Sequence, residues 1–363
     1  MRLPPSRMPC VAVVGAGNAG QAIAGYITAQ GRATAILYDK SDQAILPVVQ
    51  RGGVELVGPL VSGFQALLGT TSIGEAVAGS DIVLVSVPAT EHQSVARDLA
   101  PWVRNGQCVV LCPGYVGGTL ILRQQLMHLG ANRLPMIAET TTMPFASRLV
   151  GKGSVGIKGV KKVVHLAAMP ASDTGRVVEM LSSLFPGTLA AGQNALQVGL
   201  NNPNPIMHVP LTVMNWGRIE GREFRSHFDC HEWVTSGVRR VIDGVDAERV
   251  RLMESLGLTP IAHEEFAAMT YDRPWHIVEA LERLPASAWT IPPRFLDEDV
   301  PCGLVPIQSL AEFTGVETPL IIALVGIASV LRGRDFLSDG RTVGSLGLNG
   351  LSRSDILEFV ERG

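Results

Sequence analysis

A chain of 363 residues is too long for one hydrophobic core, so two domains are expected. Charged residues make up 17% and hydrophobic ones 46%, which excludes a disordered or low-complexity chain. A net charge of −3 and the lack of any lysine- or arginine-rich run argue against a polyanion-binding surface, so no nucleic-acid partner is expected.

Met1 to Pro9 carries arginines and prolines but no extended apolar run, so no signal peptide is expected. The parallel-strand signal begins at once after it. Cys10-Val-Ala-Val-Val14 is continuously apolar and runs into Gly15-Ala-Gly17-Asn18-Ala19-Gly20, followed by a helical stretch to about Gln30. Ala33 to Tyr38 reads as a second strand ending at Asp39, and Gly53 to Gly69 as a small meander. Asp81 to Val87 is a further buried strand closed by Pro88, with a helical pattern from Glu91 to Val103. Cys108 to Cys112 and Pro135 to Ala138 repeat the strand signal around another helical segment. Strands alternating with helices predict an α/β domain, a parallel sheet with helices on both faces, over about 1–190. Beyond it helical patterns dominate: Val209 to Ile219, Trp233 to Leu256, Trp275 to Leu284, Ile307 to Phe313 and Pro319 to Leu331. An all-α domain is expected over about 191–363. Its most apolar segment, from Pro319, is too short for a membrane span, so no membrane partner is expected.

The cysteines at 10, 108, 112, 230 and 302 are scattered and odd in number. Cys108 and Cys112 should share one face of a buried strand. No metal spacing or disulfide framework is visible, which fits small apolar fillers in a reducing cytoplasm.

The glycine pattern has the strand before it and the helix after it that a Rossmann dinucleotide site requires. Gly15 permits the tight turn, Gly17 the approach of a pyrophosphate, and Gly20 the close packing of helix on strand. Asn18 and Ala19 open the helix whose free N–H groups would face the phosphates. Asp39 stands where an acid binds a ribose 2′-hydroxyl and repels a 2′-phosphate, favouring NAD; Lys40 and Ser41 leave NADP open. Pro88 ends the strand beside the expected crevice, where its backbone would border the nicotinamide ribose. Glu139-Thr140 ends a later strand with polar groups suited to substrate contact, with a capped loop as the plain competitor.

In the second half, His208 lies in Asn202-Pro-Asn-Pro-Ile-Met-His208-Val-Pro210, which reads as a chain reversal exposing a titratable imidazole. Ile291-Pro-Pro-Arg294-Phe-Leu-Asp297-Glu298-Asp299-Val-Pro301 reads as a stiff extended loop. Arg294 offers a planar fork for a carboxylate, and Asp299 an acceptor that would fix the imidazole tautomer. A surface acid cluster paired with Arg294 is the competing reading.

Together these stretches resemble the opine dehydrogenases of the octopine and nopaline type. The matching pieces are Gly15 to Gly20, Pro113-Gly114-Tyr115-Val-Gly-Gly118, Glu139-Thr140 with Pro144, and His208 followed by Asn215-Trp-Gly-Arg-Ile-Glu220. The last run from Arg294 through Asp299-Val-Pro301, Gly303-Leu-Val-Pro306 and Gly315-Val-Glu-Thr-Pro319. The resemblance implies His208 as general acid/base, Asp299 beside it, and Arg294 in the same site. Val209 replaces a usual proline, and Tyr115, a candidate substrate contact, replaces a usual basic residue. The implied activity is NAD(P)-dependent reductive condensation of a 2-oxo acid with the amine of an amino acid, in a cleft between the domains. A homodimer is possible. The alternatives are a 2-hydroxy acid or ketopantoate-like reductase, disfavoured because no lysine follows Lys162, and a non-catalytic dinucleotide sensor.

Overall fold

The chain is described from a computed structural model, covering residues 8–130, 134–220, 233–271 and 294–362. Strand β1 (Cys10–Val14) lies between β2 (Thr34–Tyr38) and β6 (Ile82–Val85), parallel to both. Val11 and Val13 enter one core and Ala12 and Val14 the other, each at most 1% exposed. A strand buried on both faces has no polar side to show, which is why the run lacks alternation.

The remaining strands are β3 (Gly53–Val57), β4 (Gly63–Ala66), β5 (Leu68–Thr70), β7 (Cys108–Leu111), β8 (Met136–Thr140), β9 (Phe145–Gly151), β10 (Ser154–Val160), β11 (Val164–Met169) and β12 (Leu189–Ala191). The main sheet has the order β12-β11-β8-β7-β6-β1-β2-β5, parallel except for β8 against β11. Helix α1 (Asn18–Ala29) covers one face. Helices α3 (Ile73–Val77), α4 (His92–Leu99) and α5 (Gly118–His128) lie on the other. The expected Rossmann-type sheet is present. The meander proves to be an antiparallel pair, β3 and β4, within a second sheet of order β4-β3-β10-β9, while β5 extends the main one. Leu56, Phe145, Val155 and Ile157 of that second sheet join the core under α1. Helices α2 (Asp42–Arg51) and α6 (Thr174–Ser182) complete this unit.

Two compact units divide the chain. Residues up to Gly114, Gly118–Ala195 and those from Glu361 form one; Tyr115–Gly117 and Leu196–Val360 form the other. Against the expected break at 190/191, the division falls after Ala195, and three residues following β7 go with the second unit.

Among its described residues the second unit is helical: α7 (Ala195–Leu200), α8 (Asn204–Met214), α9 (Trp216–Glu220), α10 (Ser236–Ser255), α11 (His263–Tyr271), α12 (Arg294–Asp297), α13 (Val305–Thr314), α14 (Pro319–Arg332), α15 (Phe336–Asp339) and α16 (Arg353–Arg362). Expectations for 275–284 and Cys230 lie outside the described residues. A buried guanidinium holds the start of α8: Arg249 donates to Asp246 Oδ1 at 2.7 Å, Asn201 Oδ1 at 2.9 Å and the Ile261 carbonyl at 2.7 Å. Two expectations are corrected here. His208 is inside helix α8, not in a chain reversal, because Pro205 falls in the first turn, where no N–H is needed. Pro210 forgoes one internal hydrogen bond, and burial of Val209, Pro210 and Leu211 holds the helix together across it. Residues 294–304 are likewise not extended. They form α12 and a π-helical turn, Val300–Leu304, with Pro301 in its first turn. A Cβ on Gly303 would overlap the Pro205 ring, so only glycine lets this turn meet α8 so closely.

Cys108 and Cys112 share one core, as their spacing predicts, and burial pushes both thiols up to about 12. Unfolded thiols titrate near 8.5, so the stability linked to them is complete below about pH 8.5 and is lost as pH rises towards 12. Urea midpoints should therefore fall between about pH 9 and about pH 11, and Cys108→Ala/Cys112→Ala should flatten that limb. An unchanged slope would detach the two thiols from the alkaline loss.

Candidate active site

In the first unit, β1 hands the chain to a turn built on steric necessity. Gly15 has φ +107°, and a Cβ there would strike the Ser86 carbonyl; a Cβ on Gly20 would strike the Gly15 carbonyl. Gly17 differs: a Cβ there would meet nothing within 4 Å, so the space above it is open. Helix α1 starts at Asn18 with Gly17 as its N-cap and no side-chain cap, leaving its first amides for a ligand. β2 and β6 flank β1 on opposite sides, which makes this strand end the switch point where open α/β sheets bind nucleotides. The donor set and the open approach fit a dinucleotide pyrophosphate.

Asp39 follows β2 and turns back to that loop. Its Oδ2 accepts from the Ala16 N–H at 2.7 Å and its Oδ1 from the Ser41 N–H at 2.8 Å. Lys40 is drawn off to Glu91 at 2.8 Å, an exposed pair of small energetic weight. Asn18 fixes β9 by accepting from the Leu149 N–H at 2.8 Å. Ala19 is in the first turn of α1, and Pro88 follows β6.

Glu139 and Thr140 end β8 inside the first unit, 0% and 3% exposed. The Glu139 Oε2 accepts from the Thr119 N–H at 2.7 Å, so the carboxylate satisfies an amide in the first turn of α5. Gly114 and Gly118 leave the room it occupies, and a Cβ on Gly118 would lie 3.3 Å from His92 Nδ1. His92, 1% exposed, escaped the sequence reading because nothing near it marks it out from a core residue.

The second unit gathers the acid–base groups. The His208 Nδ1 lies 2.9 Å from Asp299 Oδ2, and the Tyr115 hydroxyl donates to Asp299 Oδ1 at 2.9 Å. Asp299 is 1% exposed and Tyr115 3%. Burial, then the charges of Asp299 and Glu298, push the Tyr115 phenol well above its usual range, with Arg294 opposing. The phenol therefore stays protonated and can only donate to this carboxylate. An ionised carboxylate only accepts, so the imidazole proton belongs on Nδ1 and Nε2 is left for chemistry.

Tyr115 adopts φ +59°, unusual for a non-glycine residue. Its segment is held by the Val116 N–H to the Cys302 carbonyl at 3.3 Å and by Arg341, which donates to the Val116 carbonyl at 2.9 Å. The Phe295 ring stacks on His208 at 3.7 Å between centroids and 5° between planes. Phe295 and Asp299 are one helical turn apart, so reading 294–299 as helix would have paired them. Arg294 is adjacent but looser. Its side chain is 59% exposed and lies 3.5 Å from Glu298 Oε2, the acid pairing that the competing reading described. Elsewhere Asp243, His263 and Glu264 converge, but Arg239 pairs with both carboxylates and supplies the countercharge.

The α-helical domain of NAD/NADP octopine/nopaline dehydrogenases matches residues 191–332, and the coenzyme F420-dependent NADP oxidoreductase family matches 10–112. The opine dehydrogenase of Arthrobacter sp. (strain 1C) is 34% identical over 358 residues, covering 96% of this chain and 98% of its own. The protein ocs of Agrobacterium vitis is 29% identical, covering 97% and 99%. A structure of octopine dehydrogenase with NADH and pyruvate superposes with a TM-score of 0.76 at 17% identity, covering 96% and 98%. A ketopantoate reductase from Ralstonia eutropha JMP134 shares the fold at 0.62 and 18%, covering 89% and 98%.

Nitrogen NMR of histidine-labelled protein checks the tautomer. Neutral His208 should carry its proton on Nδ1, and Asp299→Asn should abolish that bias; an Nε2–H form in the unsubstituted chain would overturn the assignment.

Proposed function

Because the chain belongs to the opine dehydrogenases of the octopine and nopaline type, NAD(P)-dependent oxidoreductases acting on CH–NH bonds, we propose that His208, oriented by Asp299, drives the condensation of a 2-oxo acid with the amine of an amino acid. The observation that carries this reading is the buried Asp299 carboxylate, which takes the His208 ring on one oxygen and the Tyr115 hydroxyl on the other.

His208 Nε2 takes a proton as the neutral amine adds to the 2-oxo carbon. It returns that proton to the former oxo oxygen, which becomes a hydroxyl, and a second proton carried from the nitrogen to that hydroxyl lets water leave as the carbon–nitrogen double bond forms. Asp299 holds the Nδ1 proton in place and stabilises the imidazolium between the two transfers. Arg294, exposed and only loosely held by Glu298, is free to take a substrate carboxylate. When bound, NAD(P)H would supply the hydride that reduces the imine carbon, and protonated His208 would supply the proton that completes the amine nitrogen. Gly15, Gly17, Asn18, Ala19 and Gly20 would hold the cofactor's pyrophosphate, and Pro88 would border its nicotinamide ribose. Asp39 favours NAD over NADP, since its carboxylate faces the glycine loop and Lys40 is engaged by Glu91. Free buried thiols at Cys108 and Cys112 suit work in a reducing cytoplasm.

NADH absorbance followed with pyruvate, with and without an amino acid mixture, tests the reaction. Consumption should require both organic partners. Consumption with the oxo acid alone would point to a simple reductase, and none with any pair to a sensor. His208→Ala should lower turnover by roughly 10²–10⁴-fold with NADH binding retained, and activity within a few-fold of the unsubstituted enzyme would remove His208 from the mechanism. Asp39→Ala should raise the KM for NADH and leave that for NADPH nearly unchanged; equal losses would discard Asp39 as the ribose ligand.

A further inference from the structure

The loop after β2 carries groups suited to either nicotinamide cofactor. Asp39 stands where an acid meets a ribose 2′-hydroxyl, and a cation close by would instead accommodate a 2′-phosphate. Lys40 is the one cation between Arg32 and Arg51, and the Ser41 hydroxyl beside it caps no amide of α2. The Asp39 carboxylate is pinned on both oxygens by the Ala16 and Ser41 amides. Lys40 is therefore the group of this loop whose placement decides what charge the 2′ position meets.

Its ammonium leaves its own loop and reaches Glu91 Oε2 at 2.8 Å. Glu91 ends a 3₁₀ turn, Ala89–Glu91, that follows β6. Because β1 lies between β2 and β6, the pair bridges the two loops that flank the glycine turn. Glu91 is itself placed, since the Ser94 hydroxyl of α4 donates to the same Oε2 at 2.9 Å. The Lys40 hydrogen bond, then that of Ser94, holds the Glu91 carboxyl below the usual carboxylate range, and Glu91 raises Lys40 in turn. Both groups are thus charged near neutral pH.

We propose that Glu91 is a cofactor-specificity residue: it draws Lys40 across the crevice and so withholds from the 2′ position the cation that a phosphate there would need. This rests on the reading of Asp39 as the residue that marks that position. Ser94 acts through Glu91, as a positioning residue. The Lys40 side chain is 63% exposed and that of Glu91 41%, so the hold is weak, and a phosphate takes Lys40 only by displacing that partner. Competition of this size changes affinity by a few-fold, and the Asp39 carboxylate supplies the remaining discrimination.

Fluorescence titration of the purified full chain with NADH and with NADPH, in the absence of organic substrates, reads cofactor affinity apart from turnover. Glu91→Gln should raise affinity for NADPH relative to NADH by about three- to fivefold, and Ser94→Ala should move the ratio the same way by less. Lys40→Ala alone should change NADPH affinity by less than about twofold, yet it should abolish the gain when added to Glu91→Gln. Circular dichroism establishes that each variant is folded. An unchanged ratio in Glu91→Gln overturns the proposal. A gain that persists without Lys40 also overturns it, by assigning the effect to the charge of Glu91 alone. So does a large loss of NADPH in Lys40→Ala, which would mean that the lysine already meets the phosphate. The Asp39 reading fails separately: equal losses of both cofactors in Asp39→Ala, beside a Glu91→Gln gain that needs Lys40, would discard Asp39 as the ribose ligand and keep Glu91 as the determinant.

Discussion

The chemistry of the second unit depends on one buried carboxylate. Asp299 is 1% exposed and receives two hydrogen bonds from groups 91 and 184 positions away in sequence. A buried charge without donors is costly, so the donors are structural requirements before they are chemical ones. One of them is the His208 imidazole, whose far nitrogen is the proposed site of proton transfer. The other is a phenol whose burial beside Asp299 and Glu298 keeps it protonated and donating. Both oxygens of the carboxylate are thereby occupied, which fixes the imidazole tautomer without any contribution from substrate.

The surrounding helices keep that arrangement in register. Gly303 admits the Pro205 ring, bringing the first turn of α8 against the π-helical turn that follows Asp299. Arg249 anchors Asn201 just before α8, and Arg341 anchors the backbone next to Tyr115. Phe295 then closes one face of the imidazole, so the ring keeps one orientation. Glycine, arginine and aromatic residues serve here as spacers and anchors for a group none of them resembles chemically.

The parts legible in the sequence are those where sterics leave no alternative. Gly15 and Gly20 are required because a Cβ would strike backbone, and β1 is continuously apolar because both of its faces are buried. Residue chemistry offered Asp299 as a partner for His208, and family resemblance singled it out, since no local pattern joins residues so far apart. Proline misled in both directions. Pro205, Pro210 and Pro301 suggested loops, yet two stand in first turns, where the missing N–H has no partner to lose. Reading them as breakers hid the one-turn spacing of Phe295 and Asp299. Strands β9, β10 and β12 went unread because they are short, glycine-broken or at sheet edges, where the apolar signal is weak. Glu139 was legible as a polar strand end. Its use as a cap for α5 depends on the absence of side chains at Gly114 and Gly118, which only the fold brings to it.

Rigidity in this unit is distributed unevenly, and the distribution follows function. The His208 side chain, the proposed proton carrier, sits mid-helix, with its partner acid buried and both acid oxygens taken, so its geometry is set before substrate arrives. Arg294 is the contrast: 59% exposed, in the first turn of a four-residue helix, and held at 3.5 Å by a single acid. A group proposed to keep one tautomer through repeated proton transfers gains from confinement. A group proposed to accept carboxylates of differing length gains from reach. Tightening Arg294 onto Glu298 would leave less of the guanidinium for a ligand.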